Sequence, residues 1–201
     1  MSWIRTIPFD EATGRLRKLY DRVTGPGNNV DNIMMAHSLR PHTMEGHMAL
    51  YKNVLHHTGN SLPKWVLELI GVRVSALNGC DYCVEHHAAG LRRLVADDVK
   101  ADALLEAVRT GVFDAVVDGS IQQMLAYAEL LTQAPAQVGR ADVEKLRAAG
   151  LDDGQILEVN QVVAYFAYAN RTVLGLGCST EGDVLGLSPG NSEDPQDWGH
   201  H

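Results

Sequence analysis

The sequence predicts an all-α protein, and three observations carry that prediction. Apolar residues recur at helical spacing, no segment of useful length alternates strictly with a period of two, and no Asn-Gly pair is flanked by strand-like runs. The Gly, Pro, Asn and Asp residues fall instead where helices start and stop. With 201 residues the chain is long enough for one domain with a substantial core and short for two. A single all-helical domain over 1–201 is therefore expected, with its core over about 40–175 and an irregular tail over 186–201.

Taken in order, Asp10 can cap a helix running to about Thr24, where Gly25, Pro26 and Gly27 break it. Pro41 suits the first turn of a helix through Met44, Met48, Tyr51 and Leu55, which Gly59 and Asn60 close. Pro63 opens the next, and Val66, Leu69, Ile70, Val72, Val74 and Leu77 give it a broad apolar face up to the stop at Asn78-Gly79. A helix then begins at or near Cys80 and runs to about Leu94. Asp97 and Asp98 start another that Gly111 closes, Ser120 to about Gln133 a further one, and Asp142 to Ala149 a short one. The last helix, through Ile156, Val159, Val163, Phe166, Ala169 and Val173, carries interleaved alanines that allow close approach, and so belongs at the centre or at a subunit interface.

The formal net charge is −8, with no cluster of Lys or Arg able to neutralise phosphates, which argues against nucleic acid and anionic membranes as partners. Nothing near the N-terminus reads as a signal peptide, and no stretch is apolar enough to span a bilayer. Three cysteines, Cys80, Cys83 and Cys178, do not make a disulfide framework, so a reducing cytoplasm is the expected setting. There a close cysteine pair points to catalysis or metal binding.

That pair lies in Cys80-Asp81-Tyr82-Cys83-Val84-Glu85-His86-His87. On a helix, Cys80, Cys83 and His87 are three and then four residues apart and fall on one stripe. With Asn78-Gly79 ending the preceding helix, both cysteines are expected in a first turn, where backbone N–H groups and the helix dipole stabilise a thiolate. Glu68 interrupts an apolar run 11 residues before Gly79, and His87 follows it by 8. If the two helices fold back on each other, these offsets are about 16 and 12 Å at ~1.5 Å per residue. Glu68 could then orient His87 as a proton shuttle for the thiols.

The spacing Glu68-x11-Cys80-x2-Cys83-x3-His87 resembles the motif of the carboxymuconolactone decarboxylase and alkylhydroperoxidase D-like superfamily. The segment from Val74 to Cys80 and the pair Asn170-Arg171 resemble its peroxidase-related branch, over roughly residues 40–175. The resemblance implies an all-helical fold assembling into homo-oligomers, trimers or hexamers. It implies peroxide reduction at Cys83 through a sulfenic acid, resolution by Cys80, and a proton relay of Glu68 and His87. It implies no prosthetic group or metal, and electrons from a dihydrolipoyl or thioredoxin-like protein. One position departs from the pattern: the residue before the second cysteine is Tyr82 rather than histidine. A phenol with a pKa of about 10 does not shuttle protons readily near neutrality.

Other readings stand beside this one. Two cysteines and a histidine are three plausible zinc ligands, though no second C-x-x-C supplies a fourth. The same pair could serve a disulfide oxidoreductase or a redox sensor, or be vestigial in a binding protein. A decarboxylase would not depend on the pair. His86 reads as a supporting or exposed residue, and His56-His57 as partners of a helix dipole. His42 and His47 are possible pocket residues, Met34, Met35, Met44 and Met48 core filler, and Cys178 a bystander. His200 and His201 carry no weight in this reading.

Overall fold

The computed structural model describes residues 2–201. The described chain is all-helical: α1 Gly14–Val23, α2 Asn32–Ala36, α3 Pro41–Leu55, α4 Lys64–Leu77, α5 Asp81–Val95, α6 Asp98–Thr110, α7 Gly119–Gln133, α8 Arg140–Ala148 and α9 Asp153–Leu176. Among the described residues there is no β-strand, only two isolated bridges. Nor is any helix long and apolar enough to cross a membrane.

The starts follow local chemistry. Asp97, Asp118 and Asp152 each accept a backbone N–H from the first turn of α6, α7 and α9, satisfying a donor that the helix leaves orphaned. Pro41 occupies the first position of α3. The first helix differs from the sequence expectation. Asp10 lies in a separate 3-10 turn, Phe9–Glu11, and α1 begins only at Gly14. At five residues, α2 is too short to leave a periodic signal.

The bundle is built around α4, which packs against α5, α7 and α9. Buried residues run almost continuously from Val66 to Ser75, as expected of a helix surrounded by others. Gly71 sets its approach to α9, because a Cβ there would fall 2.1 Å from the Phe166 ring. The core also extends beyond the expected limits. Leu16, Leu19, Tyr20 and Val23 of α1 are buried in it, as is Trp198, because the apolar face of α1 packs on α3.

Beyond Leu176 the chain is irregular but anchored. The fully buried Lys52 donates to Gly190 O and to Ser192 Oγ. Arg22 stacks its guanidinium 3.8 Å from the centre of the Trp198 ring. At Gly186, with φ +80°, the backbone touches α5 so closely that a Cβ would lie 2.9 Å from that of Ala89.

Candidate active site

The turn between α4 and α5 sets the two thiols. Gly79 takes φ +67°, a left-handed conformation that costs glycine little, and Cys80 N–H then bonds back to Ser75 O at 2.9 Å. Cys80 becomes the N-cap of α5 rather than a residue of its first turn, and Cys83 lies one turn along. Both are buried free thiols, their sulfurs 3.1 Å apart. Asn170 of α9 reaches this turn, donating to Ser75 Oγ and accepting from Asn78 Nδ2. Its neighbour Arg171 is exposed and donates to Ala167 O.

Their mutual hydrogen bond separates the two sulfurs electrostatically. A hydrogen bond from Cys83 lowers the Cys80 pKa, and the Cys83 backbone N–H and Asn170 add to this against the cost of burial. Cys83 is driven the other way, first by its bond to Cys80 and then by burial. Acidity therefore falls on Cys80, which is fully buried, while Cys83 faces a cavity.

That cavity has a volume of about 40 Å³, room for a few water-sized groups. Glu68 from α4 and His87 from α5 stand beside Cys83 in its wall. His87 Nδ1 lies 2.7 Å from Glu68 Oε2 with both side chains largely buried. A carboxylate at Nδ1 fixes the imidazole tautomer and leaves Nε2 to exchange a proton. The Phe166 ring packs edge-on against His87 at 4.6 Å. All four residues of the spacing motif thus converge at one place.

Opposite this pair is a second set of polar groups. Tyr82 OH donates to Asp183 Oδ2 at 2.6 Å and accepts Ile33 N–H at 3.1 Å. His86 Nε2 lies 3.1 Å from the same carboxylate oxygen. Asp183 also accepts the backbone N–H of Asn32. Asp31 completes the set: its carboxylate, His86 and Asp183 each bring an atom within 4.8 Å of the others. Burial, reinforced by the nearby Asp183 charge, pushes the Asp31 pKa up to about 6.

Tyr51, Tyr165 and His47 form the aromatic part of the wall, with Tyr51 stacked on Tyr165 at 5.3 Å. The C-terminal segment closes it with residues 186–188 and His200. His200 therefore has a place in the site that its terminal position in the sequence conceals. His42 is exposed, whereas His47 is buried in the cavity wall with its pKa lowered to about 3 by burial. His56 does not serve the helix dipole. It is fully buried with neither ring nitrogen hydrogen-bonded, and burial drives its pKa well down. Met44 and Met48 are core residues, Met34 also touches the cavity, and Cys178 is half-buried outside its wall. Asp31 and Asp183 had no signal in the sequence, since both come from irregular segments far from the cysteines.

Comparison with known proteins bears on the fold. The carboxymuconolactone decarboxylase family matches residues 41–129, the stretch from α3 through most of α7. An uncharacterized peroxidase-related protein of Ralstonia eutropha JMP134, with an alkylhydroperoxidase AhpD core, superposes with a TM-score of 0.74 at 25% identity, covering 92% of this chain and 97% of its own. A peroxidase-related protein of Silicibacter sp. TM1040 does so with a TM-score of 0.67 at 28% identity, covering 78% and 80%. The debrominase Bmp8 shares the fold, with a TM-score of 0.64 at 17% identity over 82% of this chain and 83% of its own. No curated protein is similar enough in sequence to match. The family match over residues 41–129 and the shared fold make this chain similar to the carboxymuconolactone decarboxylase and alkylhydroperoxidase D-like superfamily.

Proposed function

We propose that this protein is a thiol-dependent peroxidase that reduces hydrogen peroxide or small organic hydroperoxides. The observation that carries the reading is the convergence of Cys83, Glu68 and His87 on one small cavity, with Cys80 Sγ 3.1 Å behind the reacting sulfur. His87, held by Glu68, takes the Cys83 proton. The thiolate attacks the distal peroxide oxygen, the O–O bond breaks, and Cys83 becomes a sulfenic acid as an alcohol or water leaves. Cys80 then attacks the sulfenic sulfur, expelling water and closing the Cys80–Cys83 disulfide. A dithiol restores both thiols, and a dihydrolipoyl or thioredoxin-like protein in a cytoplasmic setting is the donor this chemistry suits. A homo-oligomer fits the large apolar side chains that α9 leaves exposed, Leu157, Tyr168 and Leu174.

A disulfide oxidoreductase or redox sensor is the second reading, and one observation favours it. The acidic thiol is the enclosed Cys80, while the cavity-facing Cys83 is held protonated, which slows peroxide attack and leaves exchange within the pair easy. The test is steady-state consumption of hydrogen peroxide and an organic hydroperoxide with a dithiol donor. Turnover by wild type that disappears in Cys83→Ser supports the peroxidase. An inert wild type that still forms and exchanges the disulfide overturns it in favour of the second reading.

A further inference from the structure

Breaking the O–O bond generates an oxyanion that needs a proton where it forms, at the end of the peroxide away from the thiol and its relay. The geometry points to Asp31 as the general acid that protonates the departing oxygen, a role resting on the peroxidase reading above. Asp31 and Cys83 line the same 40 Å³ cavity, so a peroxide bound between them lies within reach of both. The Asp31 side chain accepts a hydrogen bond from Asn29 Nδ2 at 3.1 Å, and this holds one carboxyl oxygen while the other can carry the proton.

The surroundings favour the protonated form of this carboxyl. Asp183, from the C-terminal segment, places a second carboxylate beside it. Unlike Asp31, Asp183 is saturated with donors, from Tyr82 OH, His86 Nε2 and Asn32 N. Two close, buried carboxyls do not both ionise readily, and the one with fewer donors holds its proton more tightly. Facing Asp31 from α5 are also His86 and His87, whose charges oppose that effect. Across the cavity stand His47 of α3, Glu68 of α4, and His200. The net result is an Asp31 pKa of about 6, suited to giving up a proton near neutral pH. The balanced step is Cys83–S⁻ + ROOH + Asp31–COOH → Cys83–SOH + ROH + Asp31–COO⁻. The proton that His87 took from Cys83 then restores Asp31 through the cavity both residues line, and closure of the disulfide by the Cys80 thiol releases one neutral water.

General acid catalysis matters most when the leaving oxygen is a poor leaving group. The experiment is stopped-flow oxidation of the reduced, full-length protein by tert-butyl hydroperoxide, which releases an alkoxide, and by peracetic acid, which releases a stabilised carboxylate. Their ratio of rate constants cancels the ionisation of the thiol. In wild type this ratio should fall as pH rises through about 6. In Asp31→Asn it should be lower by about 100-fold and flat with pH, and Asp31→Glu should restore much of it. An unchanged ratio in Asp31→Asn, or an equal fall in both rate constants, overturns the assignment and leaves Asp31 structural. A wild type that neither peroxide oxidises overturns the peroxidase reading itself, and the general acid with it.

Discussion

The two sides of the cavity are held by different means. On the hairpin side, Glu68, Cys83 and His87 ride on α4 and α5, whose positions are fixed by buried apolar packing and by the close approach of Gly71 to Phe166. On the opposite side, residues 186–188 and His200 lie on irregular chain tied down at a few points, chiefly by hydrogen bonds from Lys52 and by the buried Trp198 under Arg22. Packing over many atoms fixes a side chain to a fraction of an ångström and is costly to disturb. A few hydrogen bonds close a site yet allow local opening. The thiol and the relay assigned to take its proton sit on the rigid side, and the closing wall sits on the side that can give way to admit substrate.

The largest expected effect lies on the rigid side. His87→Asn and Glu68→Gln should each lower the rate of Cys83 oxidation, His87→Asn by about 100-fold or more. His200→Gln, across the cavity, should change it far less. Single-turnover thiol oxidation checks this, and a loss in His200→Gln equal to that in His87→Asn would abolish the distinction between the two walls.

The next effect is on packing. A Cβ at residue 71 would enter the Phe166 ring, so Gly71→Ala must push α4 and α9 apart. The cost should be about 1–3 kcal/mol or more, read from urea unfolding. Since Phe166 packs edge-on against His87, the oxidation rate should fall as well. An unchanged midpoint would mean that the helices are not held at this distance.

The same contrast governs how much the sequence reveals. Glu68, Cys80, Cys83 and His87 lie within 20 residues on two helices joined by a glycine turn, so periodicity and rise per residue are enough to bring them to the same height. The alternating small residues of α9 likewise announce a closely packed helix. Asp183 meets Tyr82 across 101 residues of sequence, from a segment with no periodicity to read. Asp31 and His200 are equally silent. The cap position of Cys80 was also hidden, because it depends on how the Gly79 turn closes onto Ser75 O. Helical pattern is a local property, whereas the docking of an irregular segment depends on the finished surface beneath it.

The C-terminal side should loosen on its own. Lys52→Met keeps the apolar stem but removes the donor to Gly190 O and Ser192 Oγ, at a cost of about 1–3 kcal/mol for the unsatisfied acceptors. Hydrogen exchange should accelerate over residues 186–201 and remain slow in α4. Uniform acceleration through both would show that the segment unfolds only with the core.

The smallest effect separates the two walls by pH. His47 on α3 and His200 in the C-terminal segment are buried and neutral, with pKa values lowered to about 3 and about 4, and His56 is driven down as well. Each takes up a proton in the unfolded chain near pH 6.5 but not in the folded one, so the unfolded state binds more protons as pH falls. Their stabilisation is complete above pH 6.5 and is lost on acidification, at about 1.4 kcal/mol per pH unit for each. Asp31, raised from 3.8 to about 6, works in the opposite sense, because the folded state gains its proton first. His37 is lowered by burial too, so the histidines outweigh Asp31 and stability should fall on acidification between pH 6 and 4.5. His200→Gln should lower the slope of that fall by about 1.4 kcal/mol per unit, measured by urea unfolding across the range. An unaltered slope would mean that the C-terminal segment has already lifted away at acid pH, exposing His200 before the helices unfold.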